Sequence, residues 1–172
     1  DSFKLIKSKL AKLSSQFEEN ILDSINDFSL HIESKKIVEG IPKDVLDSAQ
    51  KLAKENNKKG WLFTLDFPSY IPLMQYAKNR KLREDMYRAY ATKASELSSK
   101  KLDNGPCINE ILLLKQKLAT LLSYENFAEM SLATKMANSS NEVVKFLNKL
   151  AKKSKPYAKK DMKELNEIAK HY

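Results

Sequence analysis

The chain has 172 residues, of which 42% are hydrophobic, and only 3 glycines and 5 prolines, a composition that excludes a disordered or loop-dominated protein. Its longest unbroken apolar run, Ile111–Leu114, is far shorter than the ~20 residues that cross a bilayer, so we expect no membrane-spanning segment and no membrane partner. The net charge of +9 admits nucleic acid or an acidic protein as a partner. Arginine is scarce, however, so we interpret the lysines as a solvated coat and expect no nucleic-acid partner.

The first element in chain order is a long amphipathic helix. Apolar residues between Ile6 and Phe28 recur in steps of three and four, which is the period of one helix face. The lysines and glutamates of this stretch occupy the other positions. The sequence therefore predicts one helix from Ile6 to Phe28.

The next feature is a short antiparallel ribbon that pairs Ser29–Ile32 with Trp61–Asp66. Within the second segment, Trp61, Phe63 and Leu65 alternate with polar or smaller residues, a period of two that is typical of a strand. A single strand would leave its backbone groups unpaired, so a partner strand is required. Pro68 is expected to end the strand because it has no N–H to donate.

Helices are predicted on either side of the second strand. One follows Gly40–Pro42 and fades in the polar run Glu55–Lys59. After the strand, Pro72 is expected to begin a short helix to Ala77, and Asn79 to cap a longer one. The apolar face of that longer helix is predicted to comprise Leu82, Met86, Ala89, Tyr90 and Leu97.

The last third of the chain is also predicted to be helical. Helices are expected from Pro106 to about Leu122 and around Asn126–Leu132. Ser139 and Glu142 match a capping box, which would begin another amphipathic helix. Pro156 should kink or split that helix. The predicted fold is therefore mostly α, a single multi-helix lobe over residues 1–172 with one short β-ribbon.

No reactive constellation can be found among the residue types that usually carry chemistry. The two histidines, His31 and His171, are far apart and belong to no H-E-x-x-H motif. Cys107 is a lone cysteine, which favours a reducing compartment, and we interpret it as a packing residue. The basic stretch Lys152–Lys163 is interpreted as a solvated helix face. We predict no catalytic, cofactor-binding or metal-binding residue in this chain.

Four stretches carry a resemblance to a known family: Ser14–Leu22, Gly60–Tyr90, Ile111–Ala137 and Ser139–Pro156. Together, and in this order, they resemble the helical region on the N-terminal side of the thimet oligopeptidase family of zinc metallopeptidases, which includes oligopeptidase A. The resemblance implies two helical lobes that face each other across a channel, which admits only short, unstructured peptides. It also implies a catalytic zinc held by an H-E-x-x-H motif and a downstream glutamate.

This sequence departs from the family pattern because it contains no zinc motif. It also begins without Met, so we expect a cytoplasmic fragment of a longer peptidase that forms one channel wall and is inactive alone. On this expectation the partners are short peptides and the missing catalytic lobe, and the zinc ligands lie outside the segment. Tyr70, Tyr76 and Tyr87 are candidates to line the wall. The alternative is a basic helical module that binds nucleic acid or an acidic protein.

Overall fold

The computed structural model describes residues 2–171 and is mostly helical. A two-stranded antiparallel sheet is set between the first helices, so the predicted fold class is confirmed. No helix within this range is long and apolar enough to cross a membrane. The elements are α1 (Ser2–Asn26), β1 (Leu30–Ile32), α2 (Lys43–Glu55), β2 (Trp61–Phe63), α3 (Phe67–Tyr76), α4 (Arg80–Ala91), a 3-10 turn (Lys100–Leu102), α5 (Gly105–Leu121), α6 (Phe127–Leu132) and α7 (Ser140–Ala169).

The ribbon pairs the predicted segments. Leu30 lies opposite Phe63 and Ile32 lies opposite Trp61. The second strand is shorter than predicted, because the chain turns after Phe63. The turn is held by Ser69, whose Oγ accepts a hydrogen bond from the backbone N–H of Thr64 at 3.1 Å.

The predicted start of the next helix was wrong. Helix α3 begins at Phe67, with Pro68 in its first turn and Asp66 as its N-cap residue in an extended conformation. Proline is tolerated in a first turn, where its missing N–H would have had no partner. The prediction that Pro68 ends the strand was wrong as well, because β2 ends five residues earlier at Phe63 and Pro68 lies in the first turn of α3, while Pro72 lies inside α3.

The chain divides into two compact units, with the boundary between Leu113 and Leu114 inside α5. The core of the first unit forms where α2, the ribbon, α3 and α4 meet. Its fully buried side chains include Phe63, Leu73 and Met86, and Leu82 and Ala49 pack in the same cluster. Leu97 was predicted to lie on the apolar face of α4 together with Leu82 and Met86. It lies beyond the helix end at Ala91 and is 73% exposed.

A buried asparagine connects α1 to the start of α5 within the first unit. The side-chain amide of Asn104 accepts a hydrogen bond from Asn20 at 2.9 Å and donates one to the carbonyl of Phe17 at 3.0 Å. Asn104 is 2% exposed, and these bonds offset the cost of burying its amide.

In the second unit, α7 begins at the predicted capping serine. Ser139 Oγ accepts a hydrogen bond from the Glu142 N–H at 3.2 Å, while the Glu142 carboxylate returns to the N–H of Asn138 rather than to that of Ser139. Helix α7 then continues through Pro156 to Ala169, so the predicted split is wrong. A proline removes one intrahelical hydrogen bond, and α7 is helical on both sides of it. None of the described side chains of α7 is buried.

Candidate functional site

The single cysteine and the histidine of the first unit each contact a backbone carbonyl oxygen. His31 lies on β1, where Nε2 contacts the carbonyl oxygen of Lys59. Cys107 is buried, and its Sγ lies 3.2 Å from the carbonyl oxygen of Leu13. Burial, with a smaller contribution from Glu110, raises the pKa of the Cys107 thiol, which disfavours the reactive thiolate. Cys107 is therefore a packing residue.

Residues 2–171 contain no group of three or more His, Cys, Asp or Glu side chains that could hold a metal ion. The zinc that the resemblance implies does not fit the residues present in this range. We therefore derive no metal-dependent step from this chain.

The three candidate wall tyrosines have different environments. Tyr70 lies in the core and stacks on Tyr90, with ring centroids 4.3 Å apart. Burial, followed by the neighbouring Tyr90 and Tyr87, raises the pKa of the Tyr70 hydroxyl. Tyr76 and Tyr87 are more than half exposed. Of the three, only Tyr76 and Tyr87 are accessible to a peptide.

A groove lies between α2 and the segment that runs from β2 into α3. Because side chains alternate along an extended strand, Phe63 and Leu65 join the core while Leu62, Thr64 and Asp66 line the groove. The groove has a volume of about 640 Å³. Its other lining residues are Asp44, Val45, Ser48, Ala49 and Leu52 from α2, and Pro68 and Ser69 from α3.

We call this groove the α2–β2 groove. Its rim is acidic although the chain as a whole is basic. Its lining includes two carboxylates, Asp44 and Asp66, and no lysine or arginine. Thr64 Oγ1 donates a hydrogen bond to Asp66 Oδ2 at 2.9 Å, which fixes the position of that carboxylate. Three hydroxyls (Ser48, Thr64 and Ser69) complete the polar lining.

The lining residues suit binding rather than bond cleavage. A nucleophilic hydroxyl is usually activated by a neighbouring histidine or lysine, and the groove contains neither. Sequence reasoning missed this groove. Its signal in the sequence was the second set of alternating strand positions, Leu62, Thr64 and Asp66.

Comparison with known protein families gives a match to the model of peptidase family M3 over residues 73–172. The match covers more than half of the chain. The chain belongs to peptidase family M3. The resemblance that the sequence showed to the thimet oligopeptidases and oligopeptidase A is thereby confirmed.

Individual relatives match over nearly the whole chain. It is 44% identical to oligopeptidase A of Haemophilus influenzae over 93% of this chain and 24% of the relative. It is 40% identical to oligopeptidase A of Escherichia coli over 96% of this chain and 25% of the relative. The "Probable cytosolic oligopeptidase A" of Arabidopsis thaliana is 42% identical over 99% of this chain and 25% of the relative. The chain thus spans about a quarter of the length of these curated relatives.

Proposed function

We propose that this chain is the non-catalytic helical portion of a zinc-dependent oligopeptidase that hydrolyses short, unstructured peptides. The observation that carries the proposal is the 40–44% identity to three bacterial oligopeptidases A over 93–96% of the chain. On this proposal residues 1–172 form a single lobe of a two-lobed peptidase. The zinc ligands and the general base belong to the remainder of the longer protein.

The role of the segment is to form one wall of the substrate channel. A wall that excludes folded proteins must be rigid, and the packed core around Phe63, Leu73 and Met86 supports rigidity in the first unit. The exposed rings of Tyr76 and Tyr87 offer apolar and hydrogen-bonding contacts to a peptide. Exposed apolar side chains on α7, such as Leu147 and Leu165, provide area for contact with the catalytic lobe.

We further propose a cytoplasmic location. One relative carries "cytosolic" in its name, and another from the same plant is named as chloroplastic/mitochondrial. The single cysteine, which is free, suits a reducing compartment.

The channel-wall role can be tested by photo-crosslinking. A short peptide that carries a photoreactive group would be irradiated with the longer peptidase, and the crosslinked sites would be mapped by mass spectrometry. We expect some crosslinks within the 172 residues of this segment, and we expect an excess of unlabelled peptide to suppress them. If all suppressible crosslinks map outside the segment, the wall role is wrong.

A second candidate is a basic helical module that binds nucleic acid or an acidic protein. The exposed lysines of α7 favour it, because only Lys160 among those in Lys152–Lys163 forms an ion pair in the described part of the chain. This function predicts an affinity for nucleic acid that falls steeply between low and moderate salt. Absence of binding at low salt would exclude nucleic acid as the partner.

A further inference from the structure

We propose that the α2–β2 groove binds an extended peptide segment in which an apolar side chain neighbours a lysine or arginine. The choice of a peptide as occupant rests on the proposed function, and the preference for an apolar and basic pair rests on the groove itself. The groove lies wholly within the first compact unit, between Asp44 and Ser69.

The floor and walls of the groove are apolar. Ala49 and Leu62 are buried, at 6% and 4% exposure, and Val45, Leu52 and Pro68 complete the apolar lining. A volume of about 640 Å³ lies within the range of ~300–1,000 Å³ that is usual for ligand sites. It can take one large aliphatic or aromatic side chain together with the backbone on either side of it.

The rim supplies the charge preference. Lysine and arginine make up 31 of the 172 residues, yet none is among the ten residues that line the groove, whereas two of the ten are aspartates. Neither Asp44 nor Asp66 forms an ion pair with any residue between 2 and 171. A cationic side chain on the ligand would complement both carboxylates, while an acidic one would be repelled.

Two hydroxyls of the groove can form hydrogen bonds with the backbone of a peptide, one with a carbonyl and one with an N–H. Ser69 Oγ accepts a hydrogen bond from the Thr64 N–H, so its own hydrogen remains available to a ligand carbonyl. Ser48 Oγ donates to the carbonyl of Asp44 at 3.0 Å, so its lone pairs remain available to a ligand N–H. An extended backbone in the groove can therefore be bound as well as its side chains.

The test is a binding measurement on the 172-residue chain by fluorescence anisotropy, with labelled short peptides. One peptide carries adjacent leucine and lysine, a second leucine and glutamate, and a third glycine and lysine. We expect the leucine–lysine peptide to bind several-fold more tightly than either of the others. Equal binding of all three peptides, or no binding of the first, would overturn the proposal.

Variants locate the binding. The double variant Asp44→Asn, Asp66→Asn keeps the side-chain shapes but removes both charges. It should weaken binding of the leucine–lysine peptide about fivefold, since two exposed ion pairs contribute ~0.5 kcal/mol each. Asp47→Asn is the matched control, because Asp47 lies on α2 outside the groove lining and its loss should leave affinity unchanged. Ser48→Phe should fill the groove and weaken binding of the leucine–lysine peptide by at least the same factor. Emission of the single tryptophan, Trp61, reports whether each variant is folded.

If the charge and filling variants bind like the parent chain, or if Asp47→Asn weakens binding equally, the groove is not the site. Because this assay involves no hydrolysis, its failure would leave peptide cleavage by the longer protein intact. Failure of the proposed function would instead appear as absence of zinc-dependent cleavage, whatever this chain binds.

Discussion

Gly60 and Gly40 place the backbone where no side chain fits. Gly60 has φ +80, and a Cβ there would lie 2.2 Å from the carbonyl oxygen of Ile32 on the neighbouring strand. Gly40 has φ +91, and a Cβ would lie 2.3 Å from the carbonyl oxygen of Tyr76. Both contacts are with backbone, which cannot move aside as a flexible side chain can. These glycines fix how the ribbon and α3 approach the rest of the first unit.

Gly60→Ala should therefore destabilise the chain by at least about 2 kcal/mol, from left-handed strain and the clash with Ile32. Urea unfolding monitored by Trp61 emission measures this loss. Gly105→Ala is the control, because the nearest atom to its Cβ would be a side-chain oxygen of Asp103 at 3.1 Å. A Gly60→Ala variant as stable as Gly105→Ala would contradict the account of the ribbon.

Burial of Tyr70 predicts how stability changes at alkaline pH. Because its folded-state pKa is raised above the ordinary value of 10.0, the neutral hydroxyl is favoured in the folded state. Its contribution to stability is complete below pH 10.0 and is lost as the pH rises through the raised folded-state pKa. Tyr70→Phe should make the alkaline fall in unfolding free energy shallower, as measured by urea unfolding at several pH values. Tyr76→Phe, which removes an exposed hydroxyl that is not among the neighbours that raise the pKa of Tyr70, should leave the fall unchanged, and an equal effect of both substitutions would contradict the role of Tyr70.

At the scale of single elements, α7 shows how far a helix can continue past a proline. Its 30 residues run from Ser140 to Ala169 with Pro156 in the interior. The proline nitrogen cannot donate to the carbonyl of Lys152, four residues earlier, and its ring crowds that turn. The helix nevertheless continues on both sides of Pro156, and the missing hydrogen bond makes this turn the weak point of α7.

Pro156→Ala should stabilise α7 by roughly 1–3 kcal/mol, because it restores a hydrogen bond and replaces the poorest helix former by the best. Amide hydrogen exchange of the flanking turns should become slower. Ser154→Ala is the control, since it removes only the bond from Ser154 Oγ to the carbonyl of Leu150. No difference in exchange between the two variants would show that Pro156 imposes no strain on the helix.

Features that depend on neighbouring residues could be predicted from the sequence. The N-caps Asn79 and Ser139 were placed correctly, because each is decided by an oxygen and an N–H three residues on. The ribbon followed from the alternation around Phe63 and the need for a partner strand. The start of α3 could not be chosen reliably, because Pro68 and Pro72 are both compatible with a first helical turn and the turn bond from Thr64 to Ser69 decides between them.

The groove could not be predicted because it depends on contact between separate elements. Asp44 and Asp66 are 22 positions apart and belong to different helix starts, and neither forms part of a motif. Only the packing of α2 beside β2 brings their stretches together. The absence of cations from the lining is likewise a property of the assembled surface.

At the scale of the whole molecule, the two compact units differ in their burial. The first unit has a core of ten buried side chains, among them Phe63, Leu73 and Met86. In the second unit, the described side chains of α7 include no buried one, and Leu147, Leu150 and Leu165 are each more than half exposed. Local stability should follow this difference, because few apolar contacts oppose the opening of α7.

Native-state hydrogen exchange of the 172-residue chain should therefore show slow exchange around Phe63 and Met86 and faster exchange along α7, by roughly 100-fold or more. On the proposed function, contact with the catalytic lobe of the longer peptidase should slow the exchange of α7. Protection of α7 equal to that of the first unit in the short chain would contradict this division.

The most direct test of the central claim is to compare peptide cleavage by the 172-residue chain and by the longer peptidase under the same conditions. The longer protein should cleave short, unstructured peptides, lose that activity with a zinc chelator and regain it with added zinc, while leaving folded proteins intact. The 172-residue chain should cleave neither, with or without zinc. Zinc-dependent peptide cleavage by the 172-residue chain alone, or none by the longer protein, would contradict the assignment of this segment as the non-catalytic part of an oligopeptidase.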